Sequence, residues 1–402
     1  MSSPLDILVV GAGLGGLAAA AALRQQGHQI TIFEESAVNK EIGAAIAMQE
    51  NAIRVLEYLG FRKENLRAVP NDGLTHFKSD GQPSSHSFTT SQGGFFCHRV
   101  DLHDELKRLA LDPSGAGEPA KLILGSQVVK CEAIEGTITL KNGDVIHADL
   151  IVGADGIHST VRKDVLGYPA IAPTTGISAF SFSFSASKLE RRPEFDWFTQ
   201  SVSGGRVVTC QEDYNRRLFL CCCRDGSIVN VTAQFTDNRV QEQSGWRSAA
   251  TMEDVVSEFS DFHPKFRQML ALAEQPIRIF QRRALPLLPT WVKGRVALLG
   301  DAAHAMFPTL GQGAAMALED AGTLGCLFPR EIKREDIQSG LEAYQYLRKP
   351  RGEFISREAL EQIIIPEKRE LFACSPEMRK TILDYDAIRV AKEYYADCSN
   401  KL

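Results

Sequence analysis

Three glycine-centred segments carry the residue types and spacings that can do chemistry: Gly11-Ala12-Gly13-Leu14-Gly15-Gly16, Asp155-Gly156, and Gly300-Asp301 running on to Pro308-Thr309-Leu310-Gly311-Gln312-Gly313. Glycine lets the main chain approach a phosphate closely, and the start of a helix offers it free amides and a positive dipole end. In a turn of the first kind Gly11 adopts a conformation barred to other residues, Gly13 lets the backbone approach a pyrophosphate, and Gly16 permits tight helix-strand packing. An acid about 20 residues further on hydrogen-bonds ribose hydroxyls and disfavours a 2′-phosphate. Glu34 stands near that offset, with Glu35 beside it. FAD or NAD therefore fits this turn better than NADP. A lone glycine turn also occurs between any tightly packed strand and helix, so the flanking elements decide its meaning.

Those elements have the required pattern. Leu5-Asp6-Ile7-Leu8-Val9-Val10 reads as a buried strand, Leu14 to Gln26 as an alanine-rich helix, and Gln29 to Phe33 as a second strand ending at Glu34. Asp155-Gly156 follows the strand-like Leu150-Ile151-Val152-Gly153, and Gly300-Asp301 follows Val296-Ala297-Leu298-Leu299. An aspartate at the carboxyl end of a parallel strand, beside glycine and a helix start, can accept hydrogen bonds from ribityl or ribose hydroxyls while helix amides meet a phosphate. A single Asp-Gly is more often an ordinary turn. Two of them, in order with the first motif, are a different matter.

Between these segments the pattern changes. A helix over Asn51 to Leu59 ends at Gly60, and from Gly73 to Phe96 short runs are broken by Gly81, Pro83 and Gly93-Gly94. Asp101 to Ala110 is predicted helical; a strand series follows, with Asn142-Gly143 as a hairpin turn. Phe180-Ser181-Phe182-Ser183-Phe184-Ser185 alternates, which predicts an antiparallel strand with one face buried. A helix is expected from Met252 to Leu272, a strand near Ile277 to Arg283, and then the buried-strand pattern of the first domain returns. From Glu342 the chain reads as a charged helical tail with breaks at Pro350, Pro366 and Pro376. The expected fold is α/β: a Rossmann-like dinucleotide domain from residues 1–75, 97–170 and 286–345, an inserted antiparallel-sheet substrate domain from 76–96 and 171–285, and a C-terminal helical segment from 346–402.

Composition bounds the class. The 402 residues are 44% hydrophobic and 24% charged with a net charge of -5, an ordinary globular balance without the dense Lys/Arg runs of a nucleic-acid surface. The apolar stretch from Ile7 to Leu23 lacks a basic leader and is interrupted by glycines, so it reads as strand, turn and helix rather than signal peptide or membrane span. A cytoplasmic protein with no membrane or nucleic-acid partner is expected, as monomer or homodimer. Nine scattered cysteines show no metal-ligand spacing and no CxxC, which points to reduced thiols and away from a disulfide reductase or a metal site. Cys221-Cys222-Cys223 lies in a strand pattern that sends neighbours to opposite faces.

Taken together, these segments resemble the single-component FAD-dependent aromatic hydroxylases, the class A flavoprotein monooxygenases, and among them the salicylate hydroxylase-like branch. The matching residues are Gly11, Gly13 and Gly16 with Glu34; Gly43-Ala44-Ala45-Ile46 with Asn51; His98-Arg99-Val100-Asp101-Leu102; Gly153-Ala154-Asp155-Gly156 with Ser159 and Arg162; and Gly300 to His304 with Pro308, Gly311, Gln312, Gly313, Glu319 and Asp320. The resemblance runs from residue 5 to about 350 and implies a para-hydroxybenzoate hydroxylase-like fold. It implies that non-covalent FAD is held by Gly11, Gly13, Gly15, Gly16, Glu34, Glu35, Ala45, Arg99, Val128, Asp155, Asp301, Gly311, Gly313 and Ala314. It further implies that Pro308, Arg99 and Gly311 flank the reacting ring, and that Asp155 also serves NADH or NADPH, a transient co-substrate. The implied reaction runs through a flavin 4a-hydroperoxide that hydroxylates or epoxidises an aromatic, heteroaromatic or polyketide-like molecule, with water kept out. The alternatives are a related flavin oxidase or dehydrogenase, or a flavin-binding protein without turnover; the tryptophan-rich segment of flavin halogenases is absent.

Two departures bear on substrate. The segment Gly176 to Ser181 often ends in arginine in this branch but ends here in Ser181, and a Tyr-Pro pair is replaced by Cys221-Cys222. Loss of a cation and a phenol points away from a simple benzoate or phenolate. Arg206, Arg216 and Arg217 could anchor an acidic substrate or mark exposed strand ends. Phe180, Phe182, Phe184, Trp197 and Trp246 could line a pocket, although alternating aromatics more often build core. His304 and His98 read as packing residues rather than bases, since the chemistry needs no strong base.

Overall fold

The computed structural model describes residues 3–38, 44–200, 203–238 and 247–399. Gly43 and Trp246 lie outside the described residues. The first layer is a six-stranded sheet in the order Val292–Lys293, Val296–Leu298, Leu150–Gly153, Asp6–Val10, Gln29–Phe33 and Lys121–Ile123. Its strands are parallel except for the hairpin between the first two. Val9 lies between Val152 and Ile32, all fully buried, which is why these strands read as continuous apolar runs rather than alternating ones. Strands ending at Val10, Gly153 and Leu298 are immediate neighbours, so the three glycine segments leave the sheet side by side at its carboxyl end. That is where an open α/β sheet binds ligands.

Helix Leu14–Gln25 covers this sheet and is buried from Leu17 to Arg24 on every side, as an alanine-rich helix between two layers must be. It packs on helix Gly313–Leu327 at backbone range: a Cβ on Gly325 would stand 2.8 Å from the Ala22 Cβ. The Asn142-Gly143 turn joins Thr137–Leu140 to Val145–His147 in a small three-stranded sheet with Val128–Glu132.

A nine-stranded sheet forms the second layer and is antiparallel apart from the pairing of Gly205–Thr209 with Val69–Lys78. Ala45–Met48 and the whole of Val69–Lys78 belong to it, so the sheet reaches further toward the N-terminus than residue 76. One face carries Phe180, Phe182 and Phe184 into a core with Phe195, Phe259 and Phe266. The expected helix from Met252 to Leu272 is two helices, Met252–Glu258 and Pro264–Leu270. The first ends at Phe259; Pro264 takes the first position of the second, where its missing amide costs nothing, and His263 caps that helix.

The tail departs from expectation at Pro350, which lies inside the 28-residue helix Ile337–Ile364 without ending it. Arg348 and Arg351 flank the proline and are fixed by ion pairs to Asp320 and Glu319, so tertiary contacts override the local preference. Pro366 and Pro376 do begin new helical turns. Among the described residues no helix is long and apolar enough to cross a membrane.

Candidate active site

A cavity of about 1080 Å³ lies between the two layers. One wall is the carboxyl end of the parallel sheet, and Gly13, Gly15, Ala45, Arg99, Gly300 and Asp301 all line it. Pro308, Gly311, Gly313 and Ala314 complete that wall.

The first turn has the geometry its glycines require. Gly11 has φ 101°, and a Cβ there would stand 2.5 Å from the Ala154 carbonyl oxygen. A Cβ on Gly16 would stand 2.0 Å from the Gly11 carbonyl oxygen, so strand and helix touch there. On Gly13, Gly311 and Gly313 a Cβ would meet nothing within 4 Å. Those three therefore border open space at two helix N-termini, a cradle that fits a phosphate-bearing, planar cofactor. His103, on helix Arg99–Leu111, holds the turn from behind through the Ala12 carbonyl at 2.9 Å.

Glu34, Glu35, Val128 and Asp155 are not in the cavity wall. Glu34 accepts the Ala12 amide at 2.8 Å and the Ser36 amide at 2.9 Å, and so clamps the glycine turn. Glu35 is exposed, and Val128 is buried in the three-stranded sheet. The Asp155 carboxylate accepts from the Ser159 hydroxyl and from the Thr160 and Val161 amides at 2.7 and 3.0 Å. Its side chain caps helix Thr160–Leu166, while Ala154, Gly156 and Ile157 reach the cavity.

Arg162 joins the second and third glycine segments. It donates to the Ile157 carbonyl at 2.6 Å, to Ala170 at 3.0 Å and to Ala302 at 3.1 Å. Burial lowers its pKa, yet five fixed N–H donors make arginine the residue that can bridge several carbonyls at once. Asp301 begins helix Asp301–His304 and its side chain is exposed to the cavity. Behind it, Asp320 accepts from the Gly300 amide, His304 and Arg348. Burial pushes the Asp320 carboxyl up, and His304 and Arg348 more than reverse this. His304 is buried against Trp291, in the packing role expected of it. The Pro308–Leu310 turn is tied down through Gln312, which bonds Gln49 and Asn51; Asn51 in turn donates to Glu319 at 2.6 Å.

The opposite wall is the second face of the nine-stranded sheet. Adjacent strands place Arg278, Ser181, Thr232, Phe219, Val207 and His76 in one row, each facing the cavity. Ser181 thus does line the site, and the cation missing there comes from the next strand. Arg278 is its direct partner, and Arg282 follows on the same face. Burial pushes the Arg282 guanidinium down to about 10, still charged at neutral pH, and its Nε has no hydrogen-bond partner among the described residues. Of the three weighed arginines, Arg217 lines the cavity. Arg206 donates to backbone carbonyls of Gly204 and Phe198, and Arg216 pairs with Asp261. Tyr214 supplies a phenol that Cys221 and Cys222 lack. Phe182 touches the cavity, but Phe180, Phe184 and Trp197 serve the core; the aromatic lining is Phe88, Phe96, Phe219, Phe280 and Phe372.

The C-terminal segment closes the cavity through Gln362, Ile363, Glu370, Phe372, Arg379 and Leu383. Sequence reasoning treated this segment only as a charged tail. Strand alternation puts Arg278 and Arg282 on one face of Ile277–Arg283 but does not say which face meets the cavity; no local signal marks Glu370.

Comparison with known proteins identifies the family. The FAD binding domain family model matches residues 4–359. Hispidin-3-hydroxylase from Neonothopanus nambi is 42% identical over 404 residues, covering 97% of this chain and 95% of the relative. The FAD-dependent monooxygenase cfoG of Aspergillus candidus is 32% identical over 88% of this chain and 84% of its own length. Among solved structures, a salicylate hydroxylase substrate complex superposes with a TM-score of 0.80 at 26% identity, over 97% of this chain and 98% of the other.

Proposed function

We propose, since this chain belongs to the FAD-dependent monooxygenases of the FAD-binding-domain family, that it hydroxylates an enolic or phenolic small molecule of the hispidin kind, with NADH or NADPH as transient reductant. One oxygen atom of dioxygen enters a carbon–hydrogen bond of the substrate; the other leaves as water, formed with the hydride given up by the nicotinamide and one proton from solvent. The observation that carries this reading is the shared cavity: glycine cradles on one wall, cations and aromatic rings on the other.

FAD, when bound, supplies electron storage and activation of dioxygen. We propose that Gly13, Gly15 and the amides after Gly313 meet its phosphates and ring, that Ala45, Arg99 and Asp301 contact it from the cavity wall, and that Pro308 and Gly311 shape the reacting face. Glu34 and Asp155 act by holding the first two turns in register, and Glu34 retains lone pairs for a ribose hydroxyl. Arg282 and Arg278 place positive charge where an enolate or phenolate would lie, and so keep the substrate electron-rich. Phe88, Phe372, Ile363 and Leu383 exclude water, without which reducing equivalents would be lost as peroxide. Reduced, unpaired thiols support a cytoplasmic setting, and we propose a monomer or homodimer.

The test is turnover of hispidin and a panel of enols, phenols and benzoates under isotopically labelled dioxygen. One labelled oxygen per product, matched to NAD(P)H consumed, is expected. NAD(P)H consumption without label in the product would make the protein an oxidase, and a yellow protein that consumes none across the panel would make it a binding protein.

A further inference from the structure

Helix Pro376–Leu383 carries Leu383 into the roof of the cavity, and the last carbonyls of a helix have no partner within it. Two arginines from neighbouring helices take them. Arg351, on Ile337–Ile364, donates from Nη1 to the Thr381 carbonyl at 3.2 Å and from Nη2 to the Ile382 carbonyl at 2.6 Å. Arg54, on Glu50–Leu59, donates to the Leu383 and Tyr385 carbonyls at 2.8 and 3.3 Å. Positive charge at a helix C-terminus is favourable in itself. The end of the roof helix is thereby fixed to two other helices.

Arg351 also reaches inward. Its Nε and Nη2 donate to the two carboxylate oxygens of Glu319 at 3.3 and 3.2 Å, and its guanidinium lies 4.5 Å from the Tyr385 ring centre. Four of its five N–H donors are therefore placed, two on the roof helix and two on the carboxylate. Glu319 is fully buried and accepts from Asn51 as well, whose amide nitrogen also donates to Gln312. Gln312 is buried between Gly311 and Gly313, the glycines that border the open cradle. A continuous run of buried hydrogen bonds thus joins the roof helix to the cradle through Arg351, Glu319, Asn51 and Gln312. It transmits in both directions. Lifting the roof helix takes two acceptors from Arg351, and a buried guanidinium with unmatched donors is unfavourable. Shifting the cradle moves Gln312 and Asn51 and draws Glu319 out of its bidentate register with Arg351.

We infer that Arg351 is a positioning residue that couples the two halves of the site: with the roof helix down the cradle is held in its binding shape, so substrate beneath the roof and FAD in the cradle tighten each other's binding. The effect is reciprocal, as linkage between two sites requires. The inference rests on the reading of the cavity as the shared seat of FAD and an enolic or phenolic substrate, and it gives the C-terminal segment a part in cofactor retention. The planar fork of arginine is essential to it. A lysine ammonium, a compact point charge, cannot pair with both carboxylate oxygens while reaching both carbonyls.

The experiment titrates FAD into the full-length apoprotein with and without saturating hispidin, free FAD being separated by ultrafiltration, and compares the two dissociation constants. For the wild type, hispidin is expected to tighten FAD binding roughly tenfold, within the usual range of coupling between two sites. Arg351→Met and Arg351→Lys are each expected to reduce that ratio below about twofold. A purely structural loss would weaken FAD binding equally in both titrations and leave the ratio unchanged. Asn51→Ala interrupts the run at its middle, away from the roof helix, and is expected to act likewise; it keeps the test open if the Arg351 variants fold poorly. A wild-type ratio of one with hispidin bound, or a ratio retained in the variants, would overturn the coupling while leaving the monooxygenase reading intact. If hispidin is not bound, the member of the enol and phenol panel that is turned over takes its place. Binding of none of them would overturn the substrate reading and the coupling with it.

Discussion

The Asp320 carboxylate accepts the Gly300 amide at 3.1 Å, so a fully buried acid fixes the turn that carries Asp301 into the cavity. The same oxygen accepts from His304 at 2.6 Å, and the other oxygen from Arg348 at 2.8 Å. Asp320→Asn keeps the shape and removes the charge, leaving Arg348 and His304 poorly matched. Breaking one partner of a buried pair costs roughly 3–5 kcal/mol. The variant is expected to lose about that much stability in denaturant unfolding and to release FAD at lower denaturant than the wild type. A variant with unchanged unfolding midpoint and flavin content would show that Asp320 does not hold the turn.

Gly13 and Gly16 make a paired test, because the first borders open space and the second touches the Gly11 carbonyl. Gly16→Ala forces a Cβ to 2.0 Å from that oxygen, so the strand and helix must separate. Its expected outcome is a destabilised apoprotein, by on the order of 2 kcal/mol as for an overpacked core. Gly13→Ala should leave apoprotein stability within roughly 0.5 kcal/mol, as at an unconstrained surface site, while weakening FAD binding by intruding on the cradle. Thermal melts of both apoproteins, followed by FAD titration, separate the two effects; equal melting losses would contradict the assignment.

The contrast marks what a sequence can disclose. Gly11, Gly13 and Gly16 were legible because the demand on each is local: a positive φ, an open approach, a tight crossing. The buried strands around Val9 and Val152 were legible for the same reason, and with them the α/β class and the meeting of three turns at one sheet edge. Arg282 and Glu370 were not. Which face Arg282 presents depends on pairing with Thr174–Ser185 from a hundred residues earlier, and Glu370 reaches Arg217 only because the tail folds back over the sheet. Pro350 was misread because its effect on the helix is outweighed by ion pairs to Glu319 and Asp320. Asp155 and Glu34 were found as motif residues, but that their side chains serve the turns themselves is a matter of three-dimensional geometry.

Asp301 tests the cofactor side of the cavity without touching the core. Its side chain is exposed and makes no side-chain ion pair among the described residues, so Asp301→Ala should fold with an unchanged melting temperature as apoprotein. Loss of a charge-assisted hydrogen bond is worth about 1.5–3 kcal/mol, which predicts FAD binding weakened roughly ten- to a hundredfold. The ratio of flavin to protein absorbance after purification reads this directly. Full flavin occupancy in Asp301→Ala would remove Asp301 from the FAD contacts.

His76 makes a prediction about acid stability whose sign is fixed by burial. Its pKa is lowered from 6.5 to about 4 in the folded chain. An unfolded chain therefore binds this proton first, between pH 6.5 and 4, and the native state loses stability as pH falls through that window. At about 1.4 kcal/mol per pKa unit the full loss is on the order of 3 kcal/mol. Above pH 6.5 the ring is neutral in both states and contributes no pH dependence. His28 and His98 are also lowered by burial and add to the acid slope, so the His76 share must be read as a difference. His76→Phe cannot take up the proton, and its unfolding free energy should fall less steeply than the wild type's from pH 6.5 to 4, the two curves running parallel above pH 7. Parallel curves throughout the acid window would show that His76 titrates alike in the folded and unfolded chain, which its burial beside Arg217 does not allow.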